Sequence, residues 1–121
     1  LQLPPGFAFH ADRARAFFER LPRDLADAER RARRHDHRLD GRAALRAPDG
    51  HGRPLGHALE IRHPSWLGEE ALQLLSAHGI ALVTADSADH HPLSLERTAD
   101  SFVYVRLHGA RKLYASRYTD A

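Results

Sequence analysis

Residues 58–85 read ALEIRHPSWLGEEALQLLSAHGIALVTA, and this stretch predicts a strand, a helix and a second strand in direct succession. Residues 58–62 form the first short strand. Residues 67–78 place leucine and alanine at helical spacing, and Gly79 stands where a helix commonly ends. Residues 80–85 follow at once as another apolar run. Because a helical crossover returns the chain to the same end of a sheet, the two strands are expected to run parallel.

The same alternation continues on both sides of this stretch. The predicted elements are the end of a strand at residues 1–3, helices at residues 11–21 and 24–37, a loop at residues 41–56, a polar loop at residues 87–100 and a strong strand at residues 102–107. This order predicts an α/β fold with about four parallel strands and intervening helices. A pattern of only four strands does not distinguish well between a closed barrel and an open doubly wound sheet. No glycine-rich phosphate loop follows any strand, which counts against a dinucleotide-binding fold.

Length and composition are those of one ordinary globular domain at most. The chain has 121 residues, of which 42% are hydrophobic and 28% are charged. Cysteine is absent, which excludes disulfides, thiol catalysis and cysteine-ligated zinc. No apolar run approaches the roughly 20 residues that cross a bilayer, so we expect no membrane partner. Methionine is also absent and the chain opens inside an apolar segment, from which we expect a fragment of a longer protein.

Basic charge is concentrated in the first half of the chain. The formal net charge is +2, and all 18 basic residues except Lys112 are arginine. The excess lies in residues 23–57, which makes this stretch a candidate surface for nucleic acid or another polyanion. Acidic residues are interleaved with its arginines, and no aromatic residue lies in it for base stacking. A solvated helix face is therefore the favoured interpretation, and a nucleic-acid partner is not favoured.

Side chains alternate between two faces along a strand, and this alternation predicts a polar side of the sheet. The last strand carries an aliphatic face opposite a face made of Phe102, Tyr104, Arg106 and His108. Glu60 and Arg62 share one face of the strand at residues 58–62. In the strand at residues 80–85, the polar face is expected to hold Thr84 and to continue to Asp86.

The polar residues gather near the carboxyl ends of the predicted strands. They are Glu60, Arg62, His63, Asp86, Arg106 and His108. Parallel strands bring their carboxyl ends to one rim, where such folds hold their active sites. Buried charges cost several kcal/mol unless they are paired, and such a cost is commonly tolerated at functional sites. The alternative is a structural ion-pair network in which Glu60 pairs with Arg62 or Arg106.

The rim residues suggest roles for an enzyme. Glu60 is the candidate general acid or base, Asp86 is a second carboxylate, and His108 is suited to proton transfer near neutral pH. Arg62 and Arg106 are candidates to hold a carboxylate or phosphate group in a bidentate fork.

Three further residues complete the candidate substrate-binding set. They are His63, Trp66 and Tyr114. Trp66 is suited to stacking on a sugar or base, although Trp66 and Tyr114 fit a plain core position equally well.

A divalent metal is an alternative that the sequence does not favour. Carboxylate and imidazole ligands suited to Mn, Mg or Zn are offered by Glu60, His63, Asp86 and His108. No dense ligand motif such as His-Glu-x-x-His is present, so no metal and no other cofactor is assigned.

Several motifs, spread over nearly the whole chain, carry a family resemblance. They are QLPP at residues 2–5, HALEIRHPSW at residues 57–66, Asp86-Ser87, YVRLHG at residues 104–109 and Leu113-Tyr114. In this order and at these spacings they resemble the YecE-like family, known as domain of unknown function 72. The resemblance implies a TIM-barrel fold, a bacterial or archaeal cytoplasmic protein and no established biochemical activity.

A whole TIM barrel needs about 250 residues, so residues 1–121 look like a fragment of a single barrel domain. By the family's order the strands look like barrel strands four to seven, with the rest of the barrel missing from this chain. The family's amino-terminal Gly-Thr-Ser-Gly-Trp signature and its last strand and helix are absent.

Taken together, the residues and the resemblance predict an uncharacterised YecE-like TIM-barrel protein. We expect an enzyme that acts on an anionic small molecule, bearing phosphate or carboxylate, at the carboxyl-terminal rim of the strands. Two alternatives stay open: a nucleic-acid or polyanion binding module, and a non-catalytic scaffold.

Overall fold

Residues 1–42, 52–87 and 94–109 are described by a computed structural model of the chain. The chain divides into two compact units. The first unit comprises Leu1–Glu19 and Gly56–Ala121, and the second comprises Arg20–Leu55. The helices are α1 (Ala11–Phe18) and α3 (Glu69–Ala77) in the first unit and α2 (Leu25–Ala32) in the second.

The strands of the described residues lie in the first unit and pair in parallel. They are β1 (His57–Leu59), β2 (Ile80–Leu82), β3 (Thr84–Ser87) and β4 (Val105–Gly109). β1 pairs with β2, so that His57 lies opposite Ile80. β3 pairs with β4, so that Thr84 lies opposite Val105.

The strand predicted at residues 80–85 is divided at Val83, and it pairs on both sides. The amide of Val83 donates to the carbonyl of Leu59 at 3.0 Å. The amide of the next residue, Thr84, donates to the carbonyl of Tyr104, also at 3.0 Å. Successive amides of a strand point to opposite edges, so the chain changes partner within two residues without leaving its direction.

A further parallel segment at residues 1–3 lies beside β1. Gln2 and Glu60 form a parallel bridge. The amide of Leu3 donates to the carbonyl of Glu60 at 3.0 Å, and the amide of Glu60 donates to the carbonyl of Leu1 at 2.8 Å. Neighbouring segments therefore follow chain order, from residues 1–3 through β1 and β2 to β3 and β4. The mixed α/β class with short parallel strands is confirmed, and the partial TIM barrel stays a prediction.

The two helices of the first unit differ in length from their predictions. α1 buries Ala14 and Phe18 and ends at Phe18. It does not extend to residue 21, because Pro22 disfavours helical backbone at Leu21. α3 buries Ala71, Leu74 and Leu75 and ends at Ala77, followed by Gly79 at a positive φ of 63°. Leu67 lies outside α3, in the 3₁₀ helix Pro64–Leu67.

Trp66 is the largest side chain of the buried core, with 2% of its surface exposed. Its indole N–H donates to the carbonyl of Phe7 at 2.9 Å. The ring meets Phe9 edge-on, with 5.0 Å between centroids, and lies 6.4 Å from Phe18. An aromatic ring with its N–H satisfied is stable in such a core.

Residues 94–99, predicted as part of the polar loop at 87–100, pack against β2. The hydroxyl of Thr98 accepts from the amide of Leu82 at 2.8 Å and donates to the carbonyl of Ile80 at 2.6 Å. Thr98 and Ser94 are both buried. One side chain thus satisfies backbone groups on the edge of β2 that faces away from β1. Residues 88–93 of the predicted loop lie outside the described residues.

The second unit holds one short helix and a 3₁₀ turn. A carboxylate oxygen of Asp24 accepts from the amide of Asp27 at 2.7 Å and begins α2. The helix ends at Ala32 rather than at residue 37, because it buries none of its residues. The Asp36 carboxylate accepts from the amide of Arg38 at 2.9 Å and starts the 3₁₀ turn His37–Leu39 instead.

No helix within the described ranges combines the length and the apolar character needed to cross a membrane.

Candidate functional site

Glu60, Arg106 and Gln2 meet on the polar side of the parallel strands. Glu60 follows β1 directly and is 2% exposed. Its Oε2 accepts a short charge-assisted hydrogen bond from a terminal nitrogen of Arg106. Its Oε1 accepts from Nε2 of Gln2 at 3.0 Å. Both oxygens of this buried carboxylate therefore have a donor, as a charge in such a position requires.

Strand register explains how Arg106 reaches Glu60. Arg106 lies on β4, where Ala85 of β3 is its register partner. Residues in register on parallel strands turn to the same face. The intervening strand presents short side chains there, Ala85 and Val83, so the arginine extends across it to Glu60. Gln2 is held beside Glu60 on the other side by the parallel bridge.

A cavity of about 430 Å³ opens beside this pair. Its lining comes from the amino-terminal segment, from β1 and the residues that flank it, from the position between β2 and β3, and from β4 and the residues before it. It consists of Leu1, Gln2, Gly56, His57, Ala58, Glu60, Val83, Phe102, Tyr104 and Arg106. The volume lies within the range of about 300–1,000 Å³ typical of small-molecule sites. The structure brings Glu60 and Arg106 together at this cavity, and their functional roles stay predictions.

Arg106 supplies the exposed charge of this cavity. Its side chain is 37% exposed, whereas that of Glu60 is 2% exposed. A guanidinium has five N–H donors, and the structure gives one of them to Glu60. The exposed end of the ion pair is therefore cationic, and Arg106 lines the cavity.

The third strand turns a different face to the cavity from the one expected. Val83 lines the cavity, and the hydroxyl of Thr84 donates instead to the carbonyl of Ser94 at 3.1 Å. Asp86 is in register with Leu107, and so lies on the face opposite to Arg106. The expectation that Thr84 and Asp86 share the polar side with Arg106 is wrong, since Val83 faces the cavity and its neighbour Thr84 bonds Ser94 on the other face. A catalytic role for Asp86 stays a prediction that the Glu60–Arg106 pair does not support.

Arg62 and His63 follow β1 but do not line the cavity. Arg62 is half-buried, and its Nε is buried without a hydrogen-bond partner among the described residues. A buried donor without an acceptor costs about 1–3 kcal/mol.

His63 serves the local backbone. Its Nδ1 accepts from the amide of Ser65 at 3.2 Å and caps the 3₁₀ helix Pro64–Leu67. The same nitrogen lies 2.8 Å from the hydroxyl of Ser65, whose oxygen also accepts from the amide of Phe9. Nδ1 therefore carries no proton in this arrangement, and only Nε2 is available to a ligand.

Three candidate residues remain, namely Trp66, His108 and Tyr114. Trp66, for which stacking and core positions were equally favoured, lies in the core. The side chain of His108 and the whole of Tyr114 lie outside the described residues.

Phe102, Tyr104 and Gly56 are cavity residues to which sequence reasoning assigned no role. Strand alternation had placed Phe102 and Tyr104 on the face of Arg106, so the signal for them was present. Gly56 is explained only by the fold, because a Cβ at this position would lie 2.5 Å from Cε1 of Phe102.

Four arginines of the second unit form ion pairs with carboxylates near them in sequence. Asp27 bonds Arg30 at 2.6 Å and Arg31 at 2.8 Å, and the Arg31 hydrogen bond is the main cause of a lowered pKa of the Asp27 carboxyl. Arg33 bonds Glu29 at 2.5 Å.

The 3₁₀ turn of the second unit repeats this pattern. Arg38 bonds Asp36 at 2.9 Å, and its side-chain hydrogen bond lowers the pKa of the Asp36 carboxyl. These local pairs reduce the field that a nucleic acid would meet, in agreement with the solvated helix face.

Across the described part of the chain, no three His, Asp or Glu side chains gather as a group that could hold a metal ion. The suggested ligand set included His108, whose side chain lies outside that part.

A model of the family described as "Protein of unknown function DUF72" matches residues 1–121. No curated protein and no solved structure matches the chain.

Proposed function

The chain belongs to the DUF72 family, and we propose that its cavity binds the anionic group of a small-molecule substrate through Arg106. The observation that carries this proposal is the asymmetry of the ion pair: Glu60 is buried and Arg106 is partly exposed. Guanidinium groups bind carboxylate and phosphate through parallel N–H donors. The cavity is large enough to hold such a group together with an organic body.

Glu60 acts in this proposal as a positioning residue. Its two oxygens accept from Arg106 and Gln2, which fixes the guanidinium, and its 2% exposure leaves little of the carboxylate accessible to a substrate. Its negative charge also offsets part of the attraction between Arg106 and an anion, so we expect moderate affinity that falls with added salt. The general acid or base role predicted for Glu60 would require a ligand to displace one of these two partners.

Binding of simple anions tests the proposal. In the full-length protein at low ionic strength, isothermal titration with inorganic phosphate or acetate is expected to show saturable binding. The double substitution Glu60→Gln with Arg106→Gln removes both charges together and leaves no uncompensated buried charge. We expect it to weaken binding about tenfold or more, which corresponds to about 1.4 kcal/mol.

The second unit offers the matched control. Arg31→Gln removes an arginine of the same type from an exposed pair, and we expect it to leave anion affinity unchanged. Equal affinities of the wild type and the Glu60/Arg106 double variant would contradict the proposal. So would the absence of anion binding by the wild type.

A non-catalytic scaffold is the second candidate function. It is favoured by one observation, that Gln2 and Arg106 together satisfy both oxygens of Glu60. A purely structural pair predicts that the double variant unfolds at a lower temperature while the wild type binds no anion. Thermal unfolding measured beside the titration therefore separates the two candidates.

A further inference from the structure

Aromatic side chains form the wall of the cavity next to Arg106. Phe102 and Tyr104 both line the cavity, and Tyr104 is 47% exposed. Alternate residues of an extended segment share a face, so Phe102, Tyr104 and Arg106 stand in one row. An apolar, planar surface thus continues directly from the cationic end of the ion pair.

The position of the Phe102 ring depends on Gly56. A Cβ built on Gly56 would lie 2.5 Å from Cε1 and 3.1 Å from Cζ of Phe102. Atoms do not approach so closely, so any side chain at Gly56 would displace the ring. The absence of a side chain at Gly56 therefore allows the observed position of the Phe102 ring beside the cavity.

The aromatic wall and the charge lie in one cavity. Tyr104 and Arg106 both line it, so one ligand can contact both side chains. Aromatic faces also bind planar rings more favourably than they bind small hydrated ions.

We propose that the ligand of this site is an aromatic or heteroaromatic ring that bears a phosphate or carboxylate group. The inference rests on the proposed function, since it assigns the anionic group to Arg106. It adds Tyr104 and Phe102 as residues that determine specificity. Gly56 is a positioning residue that acts through Phe102.

Matched ligand pairs test this proposal in the full-length protein. The probes are phenyl phosphate against methyl phosphate, and benzoate against acetate, each measured by isothermal titration. We expect each aromatic ligand to bind about tenfold more tightly than its aliphatic partner. Tyr104→Ala is expected to remove most of this difference, and Arg31→Gln in the second unit is expected to leave all four affinities unchanged. Tyr104→Phe, which keeps the ring, is expected to retain it.

Failure of this inference and failure of the proposed function give different results. Equal affinity for aromatic and aliphatic anions, lost together in the Glu60/Arg106 double variant, would overturn the aromatic assignment and leave the anion site standing. Aromatic binding that depends on Tyr104 but not on the Glu60/Arg106 pair would overturn both, because the proposal assigns the anion to Arg106. Absence of binding by all four probes would also overturn both.

Discussion

Arginine–carboxylate pairs occur in both units of this chain, but the pairs of the two units differ in burial and in structural role. In the second unit, Asp27 pairs with Arg30 and Arg31, three and four residues along the same helix, and both arginines are mostly exposed. In the first unit, Arg106 pairs with Glu60 across 46 residues of sequence, and the carboxylate is almost fully buried. The Asp27 pairs of the second unit lie on the surface of one helix, whereas the Glu60–Arg106 pair joins two parallel segments.

Burial, rather than the number of contacts, separates these pairs energetically. Exposed pairs contribute little, because water and salt screen them. A buried carboxylate depends on its partner, since removing the partner leaves an uncompensated charge. A sequence count of arginines therefore points to the second unit, whereas the structure gives the chemically consequential arginine to the first.

The largest expected effect is on the buried pair. Arg106→Leu leaves Glu60 buried with Gln2 as its remaining side-chain donor, and we expect a loss of about 3 kcal/mol in the free energy of unfolding. Urea denaturation of the full-length protein measures it. Adding Glu60→Gln should recover part of the loss, because the buried charge is then absent.

Arg31→Leu in the second unit is the matched control for this substitution. We expect a much smaller change there, since Arg31 is exposed and its partner is four residues away. Equal losses at Arg106 and Arg31 would contradict the distinction between the two regions.

A neutral buried hydrogen bond gives the intermediate case. Thr98→Val keeps the shape of the side chain but leaves the amide of Leu82 and the carbonyl of Ile80 without this partner. We expect the unfolding free energy to fall by about 1–3 kcal/mol, measured by the same denaturation. Thr98→Ser, which retains the hydroxyl, should lose less. An unchanged stability in Thr98→Val would show that this edge of β2 does not need the contact.

The smallest effect is expected from acid on the second unit. The pKa of Asp27 is lowered from the ordinary value of 3.8 by its arginines. Its contribution to stability is therefore present above pH 3.8 and is lost as the pH falls through the lower value of the folded state. The protection factors of the α2 amides against hydrogen exchange should fall over that acid range, and Asp27→Asn should remove this pH dependence. Unaltered dependence in Asp27→Asn would assign it to another group.

The sequence predicted those parts of the fold that local patterns determine. The α3 helix follows from leucine spacing and Gly79, and the parallel order of strands follows from the alternation of elements. The division at Val83 was not predictable, because it depends on which neighbours the successive amides bond. The amide of Val83 donates to Leu59, and the amide of Thr84 donates to Tyr104 on the opposite edge. The early end of α2 was missed since good helix formers alone do not extend a helix that buries nothing.

The candidate site was also predicted only in part. Strand alternation predicted that Glu60 and Arg106 lie on the same side of the strands, and in the structure the two side chains are hydrogen-bonded to each other. It failed for Asp86, because Asp86 is in register with Leu107 and therefore lies on the face opposite to Arg106. The cap made by His63 was also missed, since histidine lies outside the usual capping residues.

A crystal structure of the full-length protein with phenyl phosphate tests most directly whether Arg106 binds the anionic group of a ligand in the cavity. We expect phosphate oxygens within about 3 Å of the Arg106 guanidinium and the phenyl ring against Tyr104. We also expect Glu60 to remain bonded to Arg106 from its buried side. A phosphate bound elsewhere, with Arg106 held only by Glu60 and the cavity filled by protein side chains, would contradict this role of Arg106.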